Sequence, residues 1–219
     1  MKTILITGIS RGIGKAVAQK FLKEGYSVIG TSTTGQIDWK KENLKVFQLN
    51  LSQEKSIEAC IKKIKTLNKK IDVLINNAGI IVEEEINESR INIKYLKKTL
   101  EVNLIGTIEF TEGIIPLMNS KGNIINVSSI AGALQGEYKL NYPSYKISKA
   151  SLNMVTKILA DRLNEKITVS SINPGWVKTD MGGEEADREP EEVAEDFFKL
   201  ANSDVETGQF WFKGKKFPW

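Results

Sequence analysis

The sequence predicts a doubly wound α/β domain: a parallel sheet with helices on both faces. Short apolar, β-rich runs alternate with amphipathic helical stretches from the first residue to the last. Strands that read as near-continuous apolar runs, separated by helix-length crossovers, fit a parallel sheet covered on both sides. No linker, repeat or low-complexity tract divides the chain, and its 219 residues suit one domain spanning 1–219. That length buries a sizeable core without disulfides or structural metal.

The elements follow in order. Strands are read at 2–7 (KTILIT), 26–31 (YSVIGT), 44–49 (LKVFQL), 71–76 (IDVLIN), 122–128 (GNIINVS) and 166–172 (KITVSSI). Helices are read near 12–24, 54–69, 92–119, 145–164 and 190–201. In the second helix Ile57, Ile61, Ile64 and Leu67 recur at helical spacing, so the cluster Lys62, Lys63, Lys65, Lys69 and Lys70 reads as its solvated face. Pro190 followed by Glu191 and Glu192 is a helix-start signal. The tail from Gly208 to Trp219 reads as a final strand and an aromatic anchor, with Phe210, Trp211 and Phe212 in core packing and Trp219 as a weaker candidate for covering a pocket.

Composition removes whole classes of chemistry. The chain has no His, which excludes an imidazole base and His metal ligands; its one cysteine, Cys60, excludes an internal disulfide and a Cys-cluster zinc site. No metal site is expected. The net charge of +4 is mild, and no aromatic-bearing nucleic-acid motif accompanies the lysines, so no nucleic-acid partner is expected. No apolar run approaches a membrane span, and Ile4-Leu5-Ile6 is too short for a signal peptide, so a cytoplasmic protein without a membrane partner is expected.

Ligands of such sheets bind beyond the carboxyl ends of the strands. After the first strand stand Thr7-Gly8-Ile9-Ser10-Arg11-Gly12-Ile13-Gly14, followed at once by the helix pattern. Glycines there permit a tight turn and leave helix N-terminal N–H groups to receive a pyrophosphate. The spacing is G-x-x-x-G-x-G, and it is not a P-loop because Ala16 follows Gly14-Lys15. A glycine-rich strand–helix turn that holds no ligand is the less favoured alternative for the glycines alone.

Here the sequence resembles the short-chain dehydrogenase/reductase family. The chain continues in order with Asn76-Asn77-Ala78-Gly79, Asn103 in the long helix, Ser128-Ser129, Tyr145-Lys146-Ile147-Ser148-Lys149, and Asn173-Pro174-Gly175-Trp176-Val177-Lys178-Thr179. Six ordered motifs over 7–179 are far more specific than any one of them. The resemblance implies a Rossmann-like fold. It also implies a nicotinamide dinucleotide held by Gly8, Ser10, Arg11, Gly12, Ile13, Gly14, Asn77, Ala78, Gly79, Tyr145, Lys149, Pro174, Gly175, Val177 and Thr179.

An NAD site usually places a carboxylate about 20 residues past the glycine turn. Here the second strand ends in Thr31-Ser32-Thr33-Thr34 and the nearest acid is Asp38. Nothing there repels a 2′-phosphate, and Arg11 can pair with one through its planar fork. NADP-preferring members resemble this arrangement, with a basic residue at Arg11 and a hydroxyl near Thr33. NADP(H) is therefore the expected cofactor and NAD(H) the alternative. Asn50-Leu51 stands where the family often has Asp-Val touching adenine, and Asn50 can still hydrogen-bond the base.

Hydride transfer to a carbonyl leaves an alkoxide that needs a proton. A free phenol titrates near about 10, and a nearby ammonium lowers that value. Tyr142/Lys146 and Tyr145/Lys149 both offer Y-x-x-x-K on one helical face. Tyr145/Lys149 is chosen, because Tyr145 to Leu152 fits the family's Y-x-x-S-K-A-x-L and Pro143 is better placed to open the helix. By the resemblance, Ser129 bonds the substrate carbonyl, Tyr145 moves the proton, Lys149 grips the nicotinamide ribose, and Asn103 positions a water leading from Lys149 to solvent.

The chain departs from many members in two places. Ser129 to Tyr145 spans a longer loop, with Gly136 to Asn141 as extra length expected to border the site. The helix near Pro190 follows Thr179-Asp180-Met181-Gly182-Gly183 closely, leaving little room for a helical lid, so the cleft is expected to be open. The eight acids of 184–196 read as a solvated face. Thr-Asp-Met-Gly-Gly and the Pro-Trp ending resemble the small C-factor-like and carbonyl-reductase-like members. The expected activity is interconversion of a ketone or aldehyde with its alcohol, on several carbonyl compounds or one long substrate, in a homodimer or homotetramer paired through the long helices. The rival is a non-enzymatic dinucleotide-sensing or signalling protein on the same fold, and intact Asn103, Ser129, Tyr145 and Lys149 favour the enzyme.

Overall fold

The structure is a computed structural model and describes residues 1–85, 90–135, 141–164 and 166–219. In chain order the elements are β1 (Thr3–Ile6), α1 (Gly12–Lys23), β2 (Ser27–Ser32), β3 (Leu44–Gln48), α2 (Glu54–Lys65), β4 (Ile71–Asn76), α3 (Ile93–Leu100), α4 (Thr107–Ile114), β5 (Met118–Val127), α5 (Pro143–Arg162), β6 (Ile167–Ile172), α6 (Pro190–Asn202), β7 (Gln209–Phe212) and β8 (Lys215–Lys216). They form one sheet in the order β3-β2-β1-β4-β5-β6-β7-β8, parallel throughout except for the β7–β8 pair. β1, β2 and the last four residues of β5 are wholly buried, as strands covered on both faces must be.

Two apolar layers flank the sheet. On one face Val17 and Phe21 of α1 meet Val193 and Phe197 of α6 over Ile4, Ile6 and Val28. On the other, Ile57 and Ile64 of α2, Phe110 and Ile114 of α4 and Leu159 of α5 close over Leu5, Leu74 and Ile124. Cys60 lies inside this second layer, and burial pushes its thiol up to about 12, so it is an inert apolar side chain. The five lysines of 62–70 are exposed, as a solvated face requires. Strand order reverses direction between β1 and β4, which opens the crevice where such folds bind ligands.

Three boundaries differ from the sequence pattern. The helix expected over 92–119 is broken: Glu101–Gly106 form a π-helical turn, Ile115–Leu117 a 3-10 turn, and residues 118–119 already belong to β5. A π turn shifts the buried face by one residue, which a periodic pattern does not resolve. β5 starts early because its register against β4 jumps from Ile71↔Met118 to Val73↔Asn123, a bulge with Lys121 at φ 66°. The helix expected over 54–69 stops at Lys65, where Asn68 turns the chain at φ 48°.

In the tail Phe210 is buried and Trp211 and Phe212 are half-buried, and Trp219 packs back on this strand. Its ring stacks on Phe210 with centroids 5.4 Å apart, and the Lys157 ammonium lies over it, two helical turns past Lys149. Seven of the eight acids in 184–196 are exposed; Asp196 is half-buried. Residues 136–140 of the long loop lie outside the described residues.

Candidate active site

The glycine turn is shaped by close approaches that leave no room for side chains. Gly8 (φ 73°) and Gly12 (φ 54°) take left-handed conformations, and a Cβ on Gly14 would sit 2.1 Å from the Gly8 carbonyl oxygen. Asn77 locks the turn to the loop after β4, its amide donating to the carbonyls of Thr7 (2.9 Å) and Gly8 (3.0 Å). In return the Thr7 hydroxyl accepts from the Asn77 and Ala78 N–H groups, both at 3.0 Å. Arg11 occupies the N-cap of α1 and makes no side-chain cap bond. The first-turn N–H groups therefore suit an anionic ligand, and the glycine cradle fits a dinucleotide pyrophosphate.

At the far side of this turn Arg11 Nη1 pairs with Asp180 Oδ2 at 2.6 Å, both side chains largely exposed. Thr179 packs against Gly12. Ser10 and Thr33 are exposed, and Ile13 is half-buried. Asn50 keeps a half-exposed place, but its Oδ1 already accepts from the Ser52 N–H and hydroxyl. Leu51 is buried in the layer of α2 and α4.

The catalytic candidates meet where β4, β5 and α5 converge. The Tyr145 phenol is hydrogen-bonded to the Ser129 hydroxyl. The Lys149 ammonium is buried, donates to the Val127 carbonyl at 2.7 Å and lies 5.5 Å from the Tyr145 ring centre. Tyr142 instead precedes the helix, and Lys146 donates to Asn141 Oδ1 at 2.9 Å. Asn103 sits in the π turn, its Oδ1 accepting from the Ile80 N–H (2.8 Å) and its amide donating to the Ile80 carbonyl (2.9 Å) and to Ser148 (3.1 Å). The side chain thus fastens the loop after β4 to α5, and Ser148 completes the tie by donating to the Tyr145 carbonyl at 2.7 Å.

Electrostatics differ from the sequence expectation in one respect. Burial pushes the Tyr145 phenol up to about 12, opposed only in part by the Ser129 bond, and pulls Lys149 down to about 8. Burial sets the balance for the phenol, which therefore lies above and not below its ordinary value. Tyr145 is therefore a neutral proton donor at pH 7.

Several positioning residues escaped the sequence reading. Gly132 is one: a Cβ there would lie 2.6 Å from the Lys149 carbonyl carbon, so only glycine lets the loop after β5 lie on α5. Arg188 is another, buried among exposed acids. Its guanidinium donates to the Pro174 carbonyl at 2.6 Å and to Asp196 at 2.7 Å, which props the Pro174-Gly175 turn (Gly175 at φ 81°) from beneath. Val177 is buried beside it and bridges to Arg188 in parallel β fashion. The available signal was the single cation, Arg188, amid the acids of 184–196. Among the described residues no three His, Cys, Asp or Glu side chains gather as a metal site, and no helix is long and apolar enough to cross a membrane.

A dinucleotide crevice with a phenol, a hydroxyl and a buried ammonium at its edge defines an oxidoreductase of carbonyl and alcohol groups. The sequence pattern described as short chain dehydrogenase matches residues 2–190, and the chain belongs to that family. It is 34% identical over 188 residues to the 3-oxoacyl-[acyl-carrier-protein] reductase FabG of Vibrio cholerae, covering 82% of this chain and 75% of that protein. The FabG of Escherichia coli is 32% identical over the same shares. In structure the chain is similar to the NADPH-bound carbonyl reductase from chicken fatty liver, at TM-score 0.89 and 28% identity over 100% of this chain and 99% of the other. The carbonyl reductase Sniffer of D. melanogaster superposes at TM-score 0.88 with 25% identity over the whole of both chains. The chain is an enzyme, a short-chain NAD(P)-dependent dehydrogenase/reductase.

Proposed function

We propose that this enzyme uses NADPH to reduce a ketone or aldehyde to its alcohol. The observation that carries the reading is the neutral Tyr145 phenol bonded to Ser129 beside the buried Lys149 ammonium. When bound, the dinucleotide supplies the hydride. Ser129 donates to the substrate carbonyl oxygen and polarises it, and Tyr145 gives its proton to that oxygen as negative charge develops. The Lys149 ammonium stabilises the phenolate left behind and holds the nicotinamide ribose. Gly8 to Gly14 with Asn77, Ala78 and Gly79 receive the dinucleotide. Pro174, Gly175, Val177 and Thr179 would help to hold it.

Arg11 and the absence of an acid at Thr33 support NADP(H) over NAD(H). The exposed apolar residues Ile105, Met154 and Ile158 on the α4–α5 side support assembly with a second copy into a dimer or tetramer. The test is a side-by-side binding titration of NADPH and NADH, followed by turnover on a panel that includes a 3-oxoacyl thioester and simple ketones and aldehydes. Tighter NADPH and turnover of any panel member uphold the proposal. Tighter NADH overturns the cofactor assignment and leaves the Ser129–Tyr145–Lys149 roles standing.

A further inference from the structure

Glu85 is a buried carboxylate that none of these steps uses. It ends the 3-10 turn Glu83–Glu85, which follows the Asn77-Ala78-Gly79 loop, and is only 1% exposed. A carboxylate so far from water has to be held by donors. Among the described residues its side-chain donors stand at the start of α5: the Ser144 hydroxyl donates to Oε1 at 2.6 Å and the Ser144 N–H to Oε2 at 3.3 Å. The main chain adds a third tie, from the Tyr142 N–H to the Glu85 carbonyl at 3.1 Å.

α5 has no cap of its own. Its N-cap residue is Tyr142, whose side chain makes no cap bond and whose backbone is held at φ 48°. A bulky residue keeps that left-handed conformation only where its surroundings impose it. Pro143 occupies the first helical position, so Ser144 is the first residue of α5 with an N–H to satisfy. Glu85 thus supplies, from a segment distant in sequence, the acceptor that a Ser, Thr, Asp or Asn would normally place at the N-cap. It also sets a carboxylate at the positive end of a 20-residue helix. The very next residue is Tyr145.

We infer that Glu85 is a positioning residue for the reduction: through Ser144 and the Tyr142 N–H it fixes the first turn of α5 and so holds Tyr145 on Ser129. This inference rests on the proposed reduction, so its test has one readout that depends on turnover and one that does not. Glu85→Ala and Glu85→Gln are compared with wild type by kcat, KM for the carbonyl, NADPH Kd and amide hydrogen exchange of the first turn of α5. In Glu85→Ala, kcat is expected to fall about 10- to 100-fold while the NADPH Kd stays within about twofold, because the glycine turn is untouched. First-turn amides are expected to exchange at least about tenfold faster, as an uncapped helix end opens locally. Glu85→Gln, which still accepts from Ser144, is expected to recover most of both losses.

Unchanged exchange in Glu85→Ala, or faster exchange at unchanged kcat, overturns the inference, as does a glutamine variant no better than alanine. If Glu85→Ala does not fold, Ser144→Ala removes the 2.6 Å bond alone and is expected to show the same split at smaller size; unchanged kcat there overturns it. If the wild type reduces no carbonyl, the reduction fails, and the exchange comparison still decides whether Glu85 caps α5.

Discussion

Around Tyr145 each polar group is held by another part of the protein: Ser129 by Tyr145 and the Ala131 N–H, Lys149 by Val127, Asn103 by Ile80 and Ser148. Around Arg11 the arrangement is the opposite. Arg11 and Asp180 keep 78% and 68% of their side-chain surface and bond each other directly at 2.6 Å, with Ser10 beside Arg11 in sequence and Thr33 likewise exposed. The first edge is preorganised, so its geometry exists before any ligand arrives. The second edge takes its final form from the ligand, because exposed ion pairs contribute only about 0–1 kcal/mol and yield easily to a better partner. The residues proposed to carry the reaction therefore sit in buried contacts, and those proposed to choose the cofactor are a few surface groups.

The sharpest way to break this comparison is to remove the phenol. Tyr145→Phe is expected to lower kcat by about 10²–10⁴-fold, while Tyr142→Phe leaves it within about threefold. Turnover with both variants on the purified enzyme decides between the two Tyr–Lys pairs, and the reverse order would assign the proton transfer to Tyr142.

Arg188 tests whether the preorganised network reaches the turn after β6. Arg188→Ala strands Asp196 and the Pro174 carbonyl, and removing one partner of such a buried pair costs about 3–5 kcal/mol. Urea unfolding should show that loss, with NADPH affinity reduced at temperatures where the variant is folded. A loss below about 1 kcal/mol would place the Pro174-Gly175 turn with the adaptable edge instead.

Lys149 lets pH report on the same buried edge. Its pKa falls from the ordinary 10.5 to about 8 through burial, so between those values the unfolded chain holds a proton that the folded protein has released. Stability on this account rises as pH climbs from about 8 to 10.5, and below 8 the fold carries the cost of a desolvated ammonium. Lys149→Met is expected to be more stable than wild type below pH 8 by about 1–3 kcal/mol, less whatever the lost Val127 bond returns. The gap should close by pH 10.5, with activity lost throughout. Thermal unfolding of both proteins from pH 7 to 10.5 checks it, and a gap that does not narrow would mean Lys149 is not buried as an ammonium.

What the sequence made legible follows the same division. Period and spacing found the strands, the glycine turn and two Tyr–Lys faces on one helix, between which the family resemblance and Pro143 chose Tyr145–Lys149, since each is a local pattern on one element. They missed Glu85, Gly132 and Arg188, whose work is done on segments far away in sequence: Glu85 on Ser144, Gly132 on Lys149, Arg188 on Pro174. A run of three glutamates looks like solvated charge until the fold buries one of them. The π turn at Glu101–Gly106 was hidden for a related reason, because one extra residue per turn leaves composition untouched while re-aiming Asn103 at Ile80. The drop of Lys149 and the rise of Tyr145 were likewise invisible, as desolvation depends on what packs around a side chain.

The smallest expected effect probes the adaptable edge itself. If Arg11 receives the 2′-phosphate of NADPH, it has to leave or share Asp180, so the 2.6 Å ion pair competes with the cofactor. Asp180→Asn should then tighten NADPH about two- to fivefold, the range an exposed ion pair of up to 1 kcal/mol allows, and leave NADH unchanged. Arg11→Ala should weaken NADPH about tenfold, the loss of a charge-assisted contact to phosphate. In the Arg11→Ala background Asp180→Asn should do nothing further, since the competition needs both partners. Equal gains for NADPH and NADH would instead show Asp180 acting as a plain negative charge near the pyrophosphate. Preserved NADPH affinity in Arg11→Ala would move the 2′-phosphate away from Arg11 altogether and leave the Ser129–Tyr145–Lys149 edge as it stands.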